Sequence, residues 1–243
     1  MPIEALENTV DALRARLAQE KRLAHDFRLD RLHLEPDGIL TFEAEAASFA
    51  QKKIALGIAA AMPAIEGIVD RLHVRPAVRM GDAEIRAHLR RIYSTDPTLA
   101  GVAVFERRGE TLAPVADIAQ PLGKLDYEVV DGIVTLNGSV NGLTVKRYIG
   151  VLAWWVPGAR DVINGIEDAA AEADSPDRIA EAVRLALEKD PYVNDAQVKI
   201  GVRHSVVRLT GLLPSEPQRD MAETDAWYVF GVDDVINEIE LLA

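Results

Sequence analysis

The chain contains no cysteine. Disulfide staples and thiolate metal sites are therefore excluded, and the redox compartment is left open. Positive charge is also short. Lys and Arg number 27 against 39 Asp and Glu, for a net charge of −12 and a pI near 4.9. Nucleic-acid binding needs a cationic surface that neutralises phosphates, so no nucleic-acid partner is expected. The same imbalance weighs against docking on anionic lipid by charge alone, though an acidic total leaves room for a local basic face. Long apolar runs are missing too. The longest, residues 54–65, ends through Pro63 and falls well short of the roughly 20 residues that span a bilayer. The first residues, Met-Pro-Ile-Glu-Ala-Leu-Glu, have neither the basic n-region nor the apolar h-region of a signal peptide. As written, the chain is expected to be cytoplasmic; a processed form would be periplasmic.

Catalytic patterns are also absent. His25, His33, His73, His88 and His204 share no metal-ligand spacing, and His88 is expected to pack in a core. The Gly138-Ser139-Val140-Asn141-Gly142 segment lacks the lysine of a phosphate loop. Acidic residues crowd over 161–195 without the ordered spacing of a cation-binding loop, so solvation is their default role. No cofactor, no metal and no enzymatic activity are expected.

What is present is a repeat. Moving 94 residues back from Asp131-Gly132-Ile133-Val134-Thr135-Leu136 reaches Asp37-Gly38-Ile39-Leu40-Thr41-Phe42. Moving 73 forward from Val134-Thr135-Leu136-Asn137-Gly138 reaches Val207-Arg208-Leu209-Thr210-Gly211, and Asp161-Val162-Ile163-Asn164 reaches Asp234-Val235-Ile236-Asn237. Neither comparison needs a gap across residues 131–164. Upstream, Ile85, Leu89 and Asp96-Pro97 map by 94 onto Ile179, Val183 and Asp190-Pro191. The change of offset from 94 to 73 means that the middle copy carries 21 extra residues, at about 102–123. The first copy slips by one residue just before Asp37.

Periodicity supplies the elements. Ile3, Leu6, Val10, Leu13 and Leu17 recur at helical steps, and Leu32 and Leu34 alternate as in a strand. Asp37-Gly38 and Asp131-Gly132 are hairpin turns. Further helices are expected near 49–62, 82–92, 143–155, 176–186 and 217–228, with Asp82 and Ser175 as N-caps. Third strands are expected at 68–74, 160–166 and 233–241. In the insertion, Val102 to Phe105 reads as a strand and the remainder as loop. The fold class is α+β: three tandem α-β-β-α-β modules, each a small three-stranded sheet with two helices on one face. The modules span residues 1–76, a degenerate copy, then 80–169 and 175–243. At this size each is near the lower limit for a core of its own, so neighbours are expected to pack together.

The pattern Gly132-Ile133-Val134-Thr135-Leu136-Asn137-Gly138-Ser139-Val140, followed after a helix by Gly158-Ala159-Arg160-Asp161-Val162-Ile163-Asn164, resembles the BON domain. The third copy carries it as Val206-Val207-Arg208-Leu209-Thr210-Gly211 with Gly231-Val232-Asp233-Asp234-Val235-Ile236-Asn237. The first departs from it, with Ala44 at the second glycine and Asp70 at the terminal asparagine. The resemblance implies a non-enzymatic binding module of bacterial envelope or stress-response proteins, with phospholipid as the ligand. One cytoplasmic relative resembles a potassium-binding protein. The family implies no particular ligand residues.

Two sets of residues are candidates for lipid or partner contact. Trp154-Trp155 and Trp227-Tyr228 end the second helices of the last two modules. Adjacent helical residues point about 100° apart, so one of each pair must leave its core face. They meet either a membrane or protein surface, or a neighbouring module. Lys52, Lys146 and Arg219 share one repeat position, extended by Lys53 and Arg147. They are either a headgroup contact or a solvated face. The leading expectation is a binding or scaffold protein that meets a membrane phospholipid surface or a protein partner. The alternative is a cytoplasmic cation or small-ligand sensor.

Overall fold

The computed structural model describes residues 3–171 and 173–242. It divides into two compact units, Met1–Arg75 and Pro76–Ala243.

In the first unit, helix α1 (Ile3–Gln19) leads through a 3-10 turn to β1 (Arg28–Leu34), β2 (Ile39–Ala46), α2 (Phe49–Ala60) and β3 (Gly67–Val74). The sheet has β2 in the centre, antiparallel to β1 and parallel to β3. Leu40, Phe42, Ala44 and Ala46 alternate into the core, where they join Leu13, Leu17, Ala55 and Ala59 from the helices.

The second unit repeats this order twice. Its first half is α3 (Asp82–Thr95), β4 (Val102–Arg108), β5 (Thr111–Ala116), β6 (Gly123–Val130), β7 (Ile133–Val140), α4 (Leu143–Trp154) and β8 (Asp161–Asp168). Its second half is α5 (Pro176–Lys189), β9 (Val198–Arg203), β10 (Val206–Leu213), α6 (Glu216–Tyr228) and β11 (Asp234–Leu241). The α+β class and the α-β-β-α-β order hold throughout, in three mixed sheets of three, five and three strands.

The insertion corrects the sequence reading. It is not a short strand and a loop but a β4–β5 hairpin, which joins the middle sheet in the order β5-β4-β6-β7-β8. The run Glu106-Arg107-Arg108-Gly109-Glu110 looks like solvated loop. Yet Glu106 takes the inward position after Val104 and is 1% exposed, because arginines neutralise it there. Two smaller expectations also change. Gly81, not Asp82, caps α3, and Asp82 instead accepts from the N–H groups of Asp131 and Gly132 at 3.0 and 2.9 Å. His88 is only half-buried; Ile85, Leu89 and Tyr93 form the inner stripe.

In the last two modules the terminal asparagine ties strand to helix. Asn164 Nδ2 donates to the Lys146 carbonyl at 2.9 Å, and its Oδ1 accepts from Ile166 N. Asn237 does the same with the Arg219 carbonyl and Ile239 N. In the first module Asp70 has no amide to donate. Its Oδ1 accepts from Leu72 N at 2.8 Å, and the Lys52 ammonium turns inward to supply the donor. Lys52 Nζ lies 2.9 Å from Asp70 Oδ2 and donates to the Leu72 carbonyl at 2.7 Å. The degenerate copy thus exchanges an amide tie for an ion pair. Lys52→Met is expected to cost about 2 kcal/mol, less than a fully buried pair because Asp70 is one-third exposed. Adding Asp70→Asn is expected to restore most of that loss, since the amide can again reach the carbonyl of residue 52. Urea unfolding of the wild type, the two single variants Lys52→Met and Asp70→Asn, and the double variant measures it; a double variant no more stable than Lys52→Met defeats the exchange.

Candidate functional site: the seam between the second and third modules

Helix α4 is apolar on almost every side. Residues 147–154 are all buried, more than one sheet can cover. The remaining surface packs against α5 and α6 of the next module. At this seam Trp154 stacks on Tyr228, with ring centroids 5.5 Å apart and planes 2° from parallel. Trp155 Nε1 donates to Asp225 Oδ1 at 2.8 Å and meets Tyr148 edge-on at 6.3 Å. The Tyr148 hydroxyl donates to Asp96 at 2.7 Å. Trp227 is 3% exposed and Trp154 8%. Each pair does diverge as helical geometry requires, but the side chains that leave their own core meet the neighbouring module. In this fold Trp154 and Trp227 offer no surface to a membrane.

The shared basic position has three different fates. Lys52 is interior, as described. Arg219 is held among surface carboxylates, 2.9 Å from Glu216 and 3.0 Å from Asp220. Lys146 is half-buried with its ammonium 5.8 Å over the ring of Phe230, itself 59% exposed.

Three residues of the seam, Asp174, Asp225 and Phe230, escaped the sequence reading, and Arg147 entered it only as an extension of the basic position, as a headgroup contact or a solvated face. Arg147 is 1% exposed, donating through Nε to the Phe230 carbonyl at 2.7 Å and through Nη2 to both oxygens of Asp174 at 2.8 and 2.7 Å. A Cβ on Gly231, whose φ is +94°, would lie 3.0 Å from that nitrogen, so the chain passes close to the guanidinium here. Asp225 is 2% exposed. Burial pushes its carboxyl up to about 8, helped by Asp190 and opposed by the Trp155 N–H. No one-dimensional signal marks Asp174, Asp225 or Phe230, because their partners lie between 27 and 83 residues away.

Beside the seam an open groove of about 500 Å³ runs between the start of α4 and the exposed side of α5. Asn141, Gly142 and Val145 line one wall, and Arg178, Arg184 and Glu188 the other. Among the described residues no group of three or more His, Cys, Asp or Glu side chains is placed to hold a metal ion, and no helix is long and apolar enough to cross a membrane.

The two halves joined by this seam are also where a family model matches. The BON domain model covers residues 117–169 and again 175–243, together just over half of the chain. The chain belongs to the BON-domain family. The first unit, outside the matched residues, repeats the same element order and strand pairing. No curated protein matches the chain. Two solved structures of CdsD, a structural protein of the type III secretion system of Chlamydia trachomatis, are similar at 12% identity. One has a TM-score of 0.25, covering 97% of this chain and 92% of that one. The other, of the C-terminal domain, has a TM-score of 0.26 and covers all of both.

Proposed function

We propose that this BON protein is a non-enzymatic binding scaffold of the bacterial envelope or stress response, and that it meets an anionic phospholipid surface at the open end of the seam. The observation that carries this reading is the exposed Phe230 ring with the Lys146 ammonium over it, on backbone fixed by Arg147. A protruding aromatic suits the apolar side of a headgroup layer, and a neighbouring cation is worth about 1 kcal/mol toward anionic lipid. With one such cation on a protein of net charge −12, binding is weak and fades with salt. In co-sedimentation, vesicles containing phosphatidylglycerol are expected to retain the protein at low salt and phosphatidylcholine vesicles to release it. Phe230→Ala and Lys146→Ala each lower retention at least about threefold, Lys146→Ala by losing the roughly 1 kcal/mol of one cation. Equal retention by wild type and both variants, or none at any salt, overturns the proposal.

A second reading is favoured by the groove. Arg178 and Arg184 stand among Glu181 and Glu188 along its α5 wall, a bipolar lining that suits a small soluble ligand. On that reading the protein is a cytoplasmic cation or small-ligand sensor. A rise in melting temperature with a small charged ligand, lost in Arg184→Ala, is its signature.

A further inference from the structure

We infer that the inserted hairpin and α3 together form an oxyanion site, built of Arg86, Arg90 and Arg108 around Glu106, which takes a phosphate monoester group. The site lies outside the seam and does not rest on the phospholipid reading. Arg86 and Arg90 sit four residues apart on one face of α3, and Arg108 comes from the end of β4. All three converge on one carboxylate. Arg90 Nη2 lies 2.7 Å from Glu106 Oε2, Arg108 Nε 2.5 Å from Oε1, and Arg86 Nε 3.6 Å from Oε1. The Tyr127 hydroxyl donates to Oε2 at 3.3 Å.

Glu106 is 1% exposed and needs a partner, but one or two arginines suffice for a single buried carboxylate. Arg86 is the surplus. Its Nε is too far from Glu106 for a hydrogen bond, and its Nη1 reaches only the Val129 carbonyl at 3.3 Å. No other hydrogen bond or ion pair of these three side chains occurs among the described residues. Many guanidinium N–H groups are therefore left to be filled. Those of Arg90 and Arg108 are open to solvent, with side chains 45% and 65% exposed, whereas Arg86 is 22% exposed and its Nε is buried without a hydrogen-bond partner.

Charge identifies the ligand. Three guanidiniums and one carboxylate leave two uncompensated positive charges in an otherwise acidic protein. A phosphate monoester carries about −1.5 to −2 at pH 7, and its oxygens accept paired N–H groups from arginine forks. Glu106 holds the guanidiniums close together before a ligand arrives, so less ordering is needed on binding. The hairpin is what completes the set. The third module has no such hairpin and carries Ala180 at the repeat position of Arg86.

Two probes separate the sources of such a group: inorganic phosphate followed by titration calorimetry, and phosphatidic acid in phosphatidylcholine vesicles followed by flotation. Wild-type protein is expected to bind at least one of them saturably. Arg108→Gln, at the most exposed of the three, weakens that binding at least about tenfold, and Arg90→Gln does the same should the first variant fold poorly. Phe230→Ala leaves the binding of inorganic phosphate unchanged, which keeps this site distinct from the seam. Binding of inorganic phosphate with no gain from vesicles assigns a soluble phosphorylated ligand. Vesicle binding that inorganic phosphate competes away assigns a lipid headgroup. Absence of saturable binding to both probes overturns the inference, as does binding that survives both arginine substitutions.

Discussion

Asp225→Asn is expected to stabilise the 76–243 unit by about 3–4 kcal/mol at pH 7, an unusual sign for a change at a buried polar residue. The Asp225 carboxyl is pushed up to about 8 from an ordinary value of 3.8, first by burial and then by Asp190. A carboxyl raised in the folded state holds a proton there that the unfolded chain has released. Its contribution is whole below about pH 4 and is lost as the pH rises toward 8, at about 1.4 kcal/mol per pH unit. Asparagine carries no charge to desolvate, accepts from Trp155 Nε1 as the aspartate does, and can donate to Asp190. Urea unfolding at pH 5, 7 and 8.5 tests this. The wild-type unit weakens across that range and the variant holds nearly level; parallel curves for the two proteins would sink the argument. Tyr228 belongs to the same cluster, its hydroxyl pushed up to about 12 by burial and by Asp225.

The second large effect concerns a glycine that the repeat itself suggests is dispensable. Gly138 aligns with Ala44, yet Gly138→Ala is expected to cost about 3–5 kcal/mol or prevent folding, because strain and a backbone clash add. Gly138 has φ +128°, and a Cβ there would stand 2.0 Å from the Lys124 carbonyl oxygen on the paired strand. Gly211 repeats the arrangement, with φ +141° and the Gln197 oxygen at 1.9 Å. Ala44 escapes it because β1 carries an irregularity between Leu29 and Arg31, which leaves Asp30 as an extra residue opposite β2. Ala44→Gly is expected to lose only about 0.5–1 kcal/mol. A comparison of the two melting temperatures checks the pair, and a mild effect of Gly138→Ala would show that the strand can shift.

Much of the fold was legible because it is local. The Asp131-Gly132 turn has both residues at positive φ, as a two-residue hairpin demands. Ser175 and Pro176 start α5 as their chemistry requires. The one-residue slip before Asp37 is visible as a longer turn, in which Leu34 pairs with Leu40 where Val129 pairs with Val134. The candidate site was less legible. The aromatic pairs were found from their spacing, but spacing alone leaves membrane and module as equal destinations for a side chain that leaves its core. The basic position was found by register, yet its three members have different partners, and register is blind to partners.

By itself, then, the sequence determined three copies of an α-β-β-α-β module, the Asp131-Gly132 turn, the Ser175 cap and the place of an insertion. These follow from hydrogen bonds and apolar periodicities within a few residues of one another. Only the tertiary structure decided that Trp154 and Tyr228 close a seam, that Arg147 is buried beneath Phe230, and that the insertion brings Arg108 to Glu106. Burying a charge or an aromatic edge is favourable only when a partner arrives from a distant segment. That partner is supplied by packing between elements, and packing leaves no period in the chain.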